Sequence, residues 1–387
     1  MAMDNVSRRS LLKAAGAAGI IGLPETGLAF QPAGQATHEV ATGASQDNAP
    51  KHTIKFAVIG LDHNHINGIT DTIRRSGGEL VSVHSTIPEA LAGFQKRYGG
   101  VKVARSEDEI LNDPSIQLVC SAAIPDLRGP LGVRVMRHGK DFLVDKPGIT
   151  TLEQLAEVRR TIEETKRIFG IMYGRMESRV TGHAGTLIQA GAIGRVVQTL
   201  QLAPHQIHAD TRPEWFWDPA RYGGTLCDLG SHQADEFVYF TGSTSAEVTM
   251  SQVANVNHSH RPKFQDFGDM LVHGNGGFGY FRVDWFTPDG LGVFGDERTF
   301  ILGTEGYIEM RKTIDVTADT TGRPSGDHLL IVDRKSARYI DCKNLALPFG
   351  PQFVEDIVNR TSVAQNQAGA LLATELVLKG QSKARIL

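Results

Sequence analysis

Cysteine is almost missing: Cys120, Cys227 and Cys342 are the only three in 387 residues. They are too few and too widely spaced for a disulfide framework. No CxxC, Cys/His pair or HExxH marks a metal site. A basic excess is missing too. Forty Lys and Arg against 43 Asp and Glu give a formal net charge of -3, which argues against a nucleic-acid partner. No apolar run reaches the ~20 residues that a bilayer span needs, so no membrane span is expected in the mature form. What remains is 41% hydrophobic and 21% charged residues, a composition that builds cores and excludes wholesale disorder. At roughly 100–200 residues per domain, the length suggests two or three domains.

Ser7-Arg8-Arg9-Ser10-Leu11-Leu12-Lys13 places two arginines before a short apolar run, and Gly27-Leu28-Ala29 puts small residues where a signal peptidase cuts. This order predicts a twin-arginine export signal over 1–29. The twin-arginine machinery would then be a partner, and the destination periplasmic or otherwise extracytoplasmic. The competing reading is a basic, frayed terminus. Residues 30–52 are rich in Gly, Ala, Gln, Ser, Thr and Pro, have no periodicity, and read as a disordered linker.

Ile54 to Gly60 is a short apolar run stopped by glycine, the form of a buried parallel strand. Similar runs at 79–84, 116–121, 141–144 and 168–173 alternate with helical stretches ending at Arg75 and covering 88–98, 106–111, 127–138 and 152–165. This alternation predicts an α/β fold with a Rossmann-type, doubly wound parallel sheet over 53–173. Ligands of such sheets sit at the carboxyl ends of the strands. The first strand-to-helix turn is then the phosphate loop. Only Gly60 of the three fingerprint glycines is present; Asp62 and His65 hold the other places. A carboxylate near a phosphate is repulsive, by roughly 4 kcal/mol at about 4 Å and an effective dielectric near 20. Asp62 therefore also reads as a helix N-cap. The second strand ends Val83-His84-Ser85-Thr86, without the acid that binds ribose hydroxyls or an arginine for a 2′-phosphate. By itself the loop argues only weakly for a nicotinamide cofactor.

Two later motifs are more specific. Phe142-Leu143-Val144 runs into Asp145-Lys146-Pro147, and Gly223-Gly224-Thr225-Leu226-Cys227-Asp228-Leu229-Gly230-Ser231-His232-Gln233-Ala234-Asp235 follows downstream. Together with Gly303-Thr304-Glu305-Gly306, they make residues 53–387 resemble the glucose–fructose oxidoreductase / inositol dehydrogenase / MocA family. That family carries Glu-Lys-Pro after its fifth strand and Gly-Gly-x-x-x-Asp-x-Gly-x-His-x-x-Asp in its second domain. The resemblance implies that 174–387 form a C-terminal α/β domain with a large, mostly antiparallel sheet, used for substrate binding and oligomerisation. It implies NAD or NADP as cofactor and a sugar or polyol as substrate. Lys146, Asp228 and His232 become the catalytic set. Gly60, Asp62, His63, Asn64, His65, Ser85, Ala122, Asp145 and Lys146 become the cofactor-binding set. Asp145 stands where the family has Glu.

Oxidising a secondary alcohol needs a base near its hydroxyl and a hydride acceptor at its carbon. A histidine with an ordinary pKa near 6.5 suits that proton transfer, which makes His232 the candidate base. Asp228 would bind the sugar or steady the imidazole, and Lys146 would point an ammonium at the same oxygen. If the segment is helical, Asp228, His232 and Asp235 share a face. Trp215, Trp217 and Arg221 pair aromatic faces with a charged donor, as a sugar requires; the tryptophans equally read as interface packing. His205 and Asp235 complete the candidate substrate set. His63 and His65, joined across the cleft by His205, His208 or His183, are a rival metal-ligand set, but their spacing assigns no metal site. Strands are expected near 250–256, 279–286, 300–302, 307–310 and 329–332, and helices over 351–360 and 364–378. A broad sheet face makes a homo-oligomer the expectation. The leading function is an exported NAD(P)-dependent oxidoreductase on a sugar, glycoside or polyol. Its rivals are a non-redox, metal-assisted lyase or hydratase on the same scaffold and a catalytically inactive carbohydrate-binding protein.

Overall fold

Short apolar strands alternating with helices build the first half of the chain. The computed structural model describes residues 36–42, 50–316 and 326–387; the expected export signal at 1–29 lies outside them. β1 (Thr37–Val40) is followed by β2 (Ile54–Ile59), α1 (Ile66–Arg75), β3 (Gly78–His84), α2 (Pro88–Arg97), β4 (Lys102–Val103), α3 (Glu107–Leu111), β5 (Leu118–Ser121), α4 (Pro125–Arg137), β6 (Asp141–Asp145), α5 (Leu152–Thr165) and β7 (Phe169–Met172). Six of these strands form one sheet in the order β4-β3-β2-β5-β6-β7, and every pairing is parallel. β5 and β6 are buried along their whole length, as a sheet covered on both faces requires. The strand order reverses between β2 and β5, so the crevice for a ligand lies outside their carboxyl ends.

The second half contributes α6 (Arg179–Gln189), β8 (Val196–Pro204), α7 (Pro219–Tyr222), α8 (Thr225–Asp228), α9 (Gly230–Thr241), β9 (Ala246–Ala254), β10 (Phe267–Gly274), β11 (Gly277–Asp284), β12 (Arg298–Gly303), β13 (Tyr307–Arg311), β14 (His328–Val332), β15 (Ala337–Asp341), α10 (Phe349–Asn359), α11 (Gln367–Lys383) and β16 (Arg385–Ile386). A ten-stranded sheet runs β1-β15-β14-β13-β12-β8-β11-β10-β9-β16. It is mostly antiparallel, with parallel pairs at β1/β15, β8/β11 and β9/β16. The α/β class and both sheets agree with the sequence reading.

Two expectations are corrected. Within the stretch read as linker, Thr37–Val40 pairs with Arg338–Asp341 as an edge strand. Asp62 is not a helix cap. α1 begins four residues later, at Ile66, and the residue before it, His65, makes no side-chain cap bond. The turn is held elsewhere, by His63 N–H donating to the Ala122 carbonyl at 3.0 Å and Ala122 N–H to the Gly60 carbonyl at 3.3 Å.

The C-terminal helical segment returns to the first sheet. Gln367 Oε1 accepts from Phe169 N–H, and the Gln365 side chain both accepts from and donates to the backbone of Ile171. Arg360 reaches the buried Asp141 at 2.8 Å. Phe353 packs into the core shared with β7.

Gly60 closes β2 with φ +84, and a Cβ there would lie 2.7 Å from that of Ala123. Both strain and overlap oppose any side chain. Gly60→Ala should cost about 1–3 kcal/mol of stability, read as a lowered urea midpoint with an unchanged slope.

Candidate active site

β6 delivers Asp145 and then Lys146, joined to Pro147 by a cis peptide bond, at the carboxyl edge of the parallel sheet. Gly223 and Gly224, both at positive φ, turn the chain into α8. Gly224 has φ +85, a conformation that side-chain-bearing residues rarely adopt, so this turn needs its glycine. α8 ends at Asp228, where Lys146 Nζ donates to Asp228 Oδ1 at 3.0 Å and to its carbonyl at 3.2 Å. Burial opposes the Asp228 charge, but the Lys146 ammonium and its hydrogen bond hold the carboxyl below its ordinary pKa. His232, on α9, lines the same cleft as Lys146 and Asp228. The three residues expected to act together are therefore neighbours around one opening.

His232 has a defined tautomer. Gly174 N–H donates to its Nδ1 at 2.9 Å, so the neutral ring carries its proton on Nε2. Burial, and then the nearby Lys146 charge, depress its pKa to about 3. At neutral pH His232 is thus a hydrogen-bond donor rather than the base that sequence reasoning made it. Behind it lies a buried ionic cluster. Lys312 bonds Glu236 and lies 2.7 Å from Glu297; Glu297 is held low by Lys312 against its burial, while burial pushes Glu236 up.

Asp145 is the second focus. His63 Nδ1 lies 3.0 Å from Oδ2 and His65 Nδ1 3.0 Å from Oδ1. Arg128, itself fully buried, donates to Oδ2 at 2.9 Å and to the carbonyls of Asp145, Lys146 and Pro147. Burial alone would raise the Asp145 pKa; the charges and hydrogen bonds of Arg128 and the two histidines instead hold it well below the carboxylate range. Burial lowers His63 to about 4, outweighing the hydrogen bond and charge of Asp145.

The remaining candidates divide. Trp215 lines the cleft, its ring 6.4 Å from that of His63. His205 lines it too, donating Nδ1–H to the Ala203 carbonyl at 3.1 Å. Trp217 instead packs on Phe264 and Phe216 in the core. Arg221 is drawn to Asp126 at 3.1 Å. Asp235 pairs with Arg175 at 2.8 Å, on another side of α9 from the cleft. Asn64 is exposed on the loop. Arg128 and Arg212 were missed. Arg212 lines the cleft with its guanidinium over Phe216 at 4.4 Å and Trp285 at 5.0 Å. An arginine seven residues after β5, amid Ala, Ile and Pro, was the available signal for Arg128; nothing local marked Arg212.

The crevice fits a dinucleotide. Gly60, Ser85 and Ala122 directly follow β2, β3 and β5, so small side chains leave the backbone approachable along three neighbouring strand ends. Burial raises the Asp62 pKa, while its backbone hydrogen bond and the Arg128 and Arg221 charges favour the ionised form. His84 is turned aside, its Nδ1 donating to the Ala104 carbonyl at 3.1 Å.

The model of an oxidoreductase family with an NAD-binding Rossmann fold matches residues 54–173, and that of the GFO/IDH/MocA C-terminal domain matches 182–309. The chain belongs to the GFO/IDH/MocA oxidoreductase family. A solved structure from Erwinia carotovora atroseptica SCRI1043, described provisionally as an oxidoreductase, is 42% identical with a TM-score of 0.83, covering 87% of this chain and all of that one. The chain is 24% identical to scyllo-inositol 2-dehydrogenase (NAD(+)) of Bacillus subtilis over 67% of its own length and 74% of that protein's. It is 27% identical to 1,5-anhydro-D-fructose reductase of Ensifer adhaerens over 50% of its length, spanning 58% of that relative. The family member is thus an α/β oxidoreductase whose first domain is an NAD-binding Rossmann fold.

His63 and His232 bind a proton more readily unfolded, near pH 6.5, than folded. Their contribution to stability is complete above pH 6.5 and is lost as pH falls toward 4 and then 3. Urea midpoints should decline across that window, and less steeply in His63→Gln and His232→Gln; equal slopes would contradict the assignment. Arg128→Met leaves Asp145 buried with one partner fewer and should cost about 3–5 kcal/mol, measured by denaturation.

Proposed function

We propose that the chain is an exported NAD(P)-dependent oxidoreductase acting on a hydroxyl of a sugar, glycoside or polyol. The observation that carries this reading is the Lys146–Asp228 pair at 3.0 Å beside His232, at the edge of a Rossmann sheet. The two curated relatives, named for an inositol and an anhydrofructose, support a polyhydroxylated substrate.

The residues divide the work as follows. Trp215 offers an apolar face to a sugar's C–H side. His232 donates Nε2–H to the reacting oxygen and stays neutral while doing so. In the reducing direction the Lys146 ammonium passes a proton to that oxygen and becomes the amine; in the oxidising direction the unprotonated Lys146 amine takes that proton and becomes the ammonium. Asp228 keeps the ammonium in place between turnovers. Arg128 fixes the backbone that carries Lys146, through its bonds to three successive carbonyls. A bound nicotinamide supplies the hydride chemistry.

Export rests on the Arg8-Arg9 pair, the short apolar run and the small residues at 27–29. Twin-arginine export carries folded proteins, which suits an enzyme that keeps its cofactor. Self-association is supported by Leu200, Phe278 and Leu302, which are exposed and share one face of the large sheet by register.

Purified protein should release NAD(H) or NADP(H) on denaturation and change absorbance at the reduced-nicotinamide band with a sugar or polyol panel. Lys146→Met and Asp228→Asn should lower kcat by about 10²–10⁴-fold with nucleotide content retained. Full turnover in both variants would defeat the reading. Arg8→Lys with Arg9→Lys should hold the chain in the cytoplasm, as cell fractionation would show.

A further inference from the structure

Two histidines in a phosphate loop are foreign to its ordinary work, and the catalytic steps above use neither. Their surroundings are specific. The His63 and His65 rings lie 4.0 Å apart between centroids, tilted by 65°. With Asp145 they form a cluster in which one ligand-capable atom from each residue lies within 4.8 Å of the other two. Asp145 is ionised and can only accept, so each Nδ1 must be the donor to it. In the neutral rings the lone pair is then left on Nε2. Among the described residues neither Nε2 has a hydrogen-bond partner, although both rings line the cleft.

A carboxylate that fixes a histidine through Nδ1 while Nε2 faces open space is the supporting arrangement found behind metal-binding imidazoles. Asp145 is poorly placed to bind a cation itself, because the Arg128 guanidinium already occupies Oδ2 at 2.9 Å. We propose that His63 and His65 bind one divalent transition-metal ion through Nε2, with Asp145 orienting both rings from behind. Paired imidazole donors select Zn²⁺, Co²⁺, Ni²⁺ or Cu²⁺ over Mg²⁺ and Ca²⁺. Asp228 and Trp215 line the same cleft, and water or a substrate oxygen would complete the shell. The site would thus bring a Lewis acid close to the proposed proton-transfer pair. This inference does not depend on the redox reading.

The test uses tag-free, chelator-stripped full-length protein titrated calorimetrically with Zn²⁺ alone, and with Co²⁺ alone while its visible d–d bands are recorded. One ion per chain is expected. His63→Ala and His65→Ala should each weaken binding at least ~10-fold, and Asp145→Asn by about 10–100-fold. The exposed position of His65 keeps its variant foldable; circular dichroism checks all three, and the histidine variants decide if Asp145→Asn does not fold. No binding to the parent chain, binding unchanged in both histidine variants, or a preference for Mg²⁺ overturns the proposal. Nucleotide content measured on the same samples separates the two readings. Nucleotide without metal overturns this site alone, whereas metal without nucleotide supports it and sinks the redox assignment.

Discussion

The site depends on one buried negative charge. A carboxylate taken out of water at Asp145 is tolerable only when its oxygens are fully engaged. Arg128 and two loop histidines supply that engagement. The consequence runs in both directions along the chain. Toward the N-terminus, it gathers the first strand-to-helix turn over the sheet edge. Toward the C-terminus, the same arginine binds the carbonyls that lead from Asp145 through Lys146 to Pro147. Asp145 and Lys146 are adjacent in sequence, yet one is satisfied within the first half and the other by Asp228 of the second. The two halves are thereby indexed to each other at the point where chemistry would occur.

Of the four imidazoles lining the cleft, those of His232, His63 and His65 have unlike hydrogen-bonding character. His232 accepts at Nδ1 and so presents a donor. His63 and His65 donate at Nδ1 and so present acceptors when neutral. The difference comes entirely from the partner behind each ring: a backbone amide in one case, a carboxylate in the other. A cleft with a fixed donor on one wall and fixed acceptors on another discriminates between orientations of a hydroxylated ligand before any charge is moved. The buried Glu236–Lys312–Glu297 cluster adds fixed charge behind the donor wall.

Much of this was legible in the sequence, for identifiable reasons. Parallel strands buried on both faces must be apolar runs, so β2, β5 and β6 stood out. Lys146, Asp228 and His232 were legible because glycines and fixed spacing surround them. β1 was not, because a four-residue edge strand with every residue exposed carries no apolar pattern. Asp62 resembled a cap because capping chemistry is local, whereas the turn is held by the Ala122 backbone, some sixty residues away. Trp215 and Trp217 read alike but sit on opposite sides of one short turn, one in the cleft and the other in the core. Asp235 carried the motif's spacing, but the nearby Arg175 claims it. The bond from His63 and His65 to Asp145 spans about eighty residues, and no window of sequence reports such a meeting.

The glutamines at the start of the last helical segment have a wider meaning. β7 is the outermost strand of the parallel sheet, and an outermost strand offers bare amides and carbonyls to any passing chain. Gln365 and Gln367 mimic a seventh strand with their side-chain amides, borrowing from nearly two hundred residues downstream. The nucleotide half therefore lacks a finished border until Gln365 and Gln367 have been made and have docked. Until those side chains dock, that margin stays an unpaired strand edge.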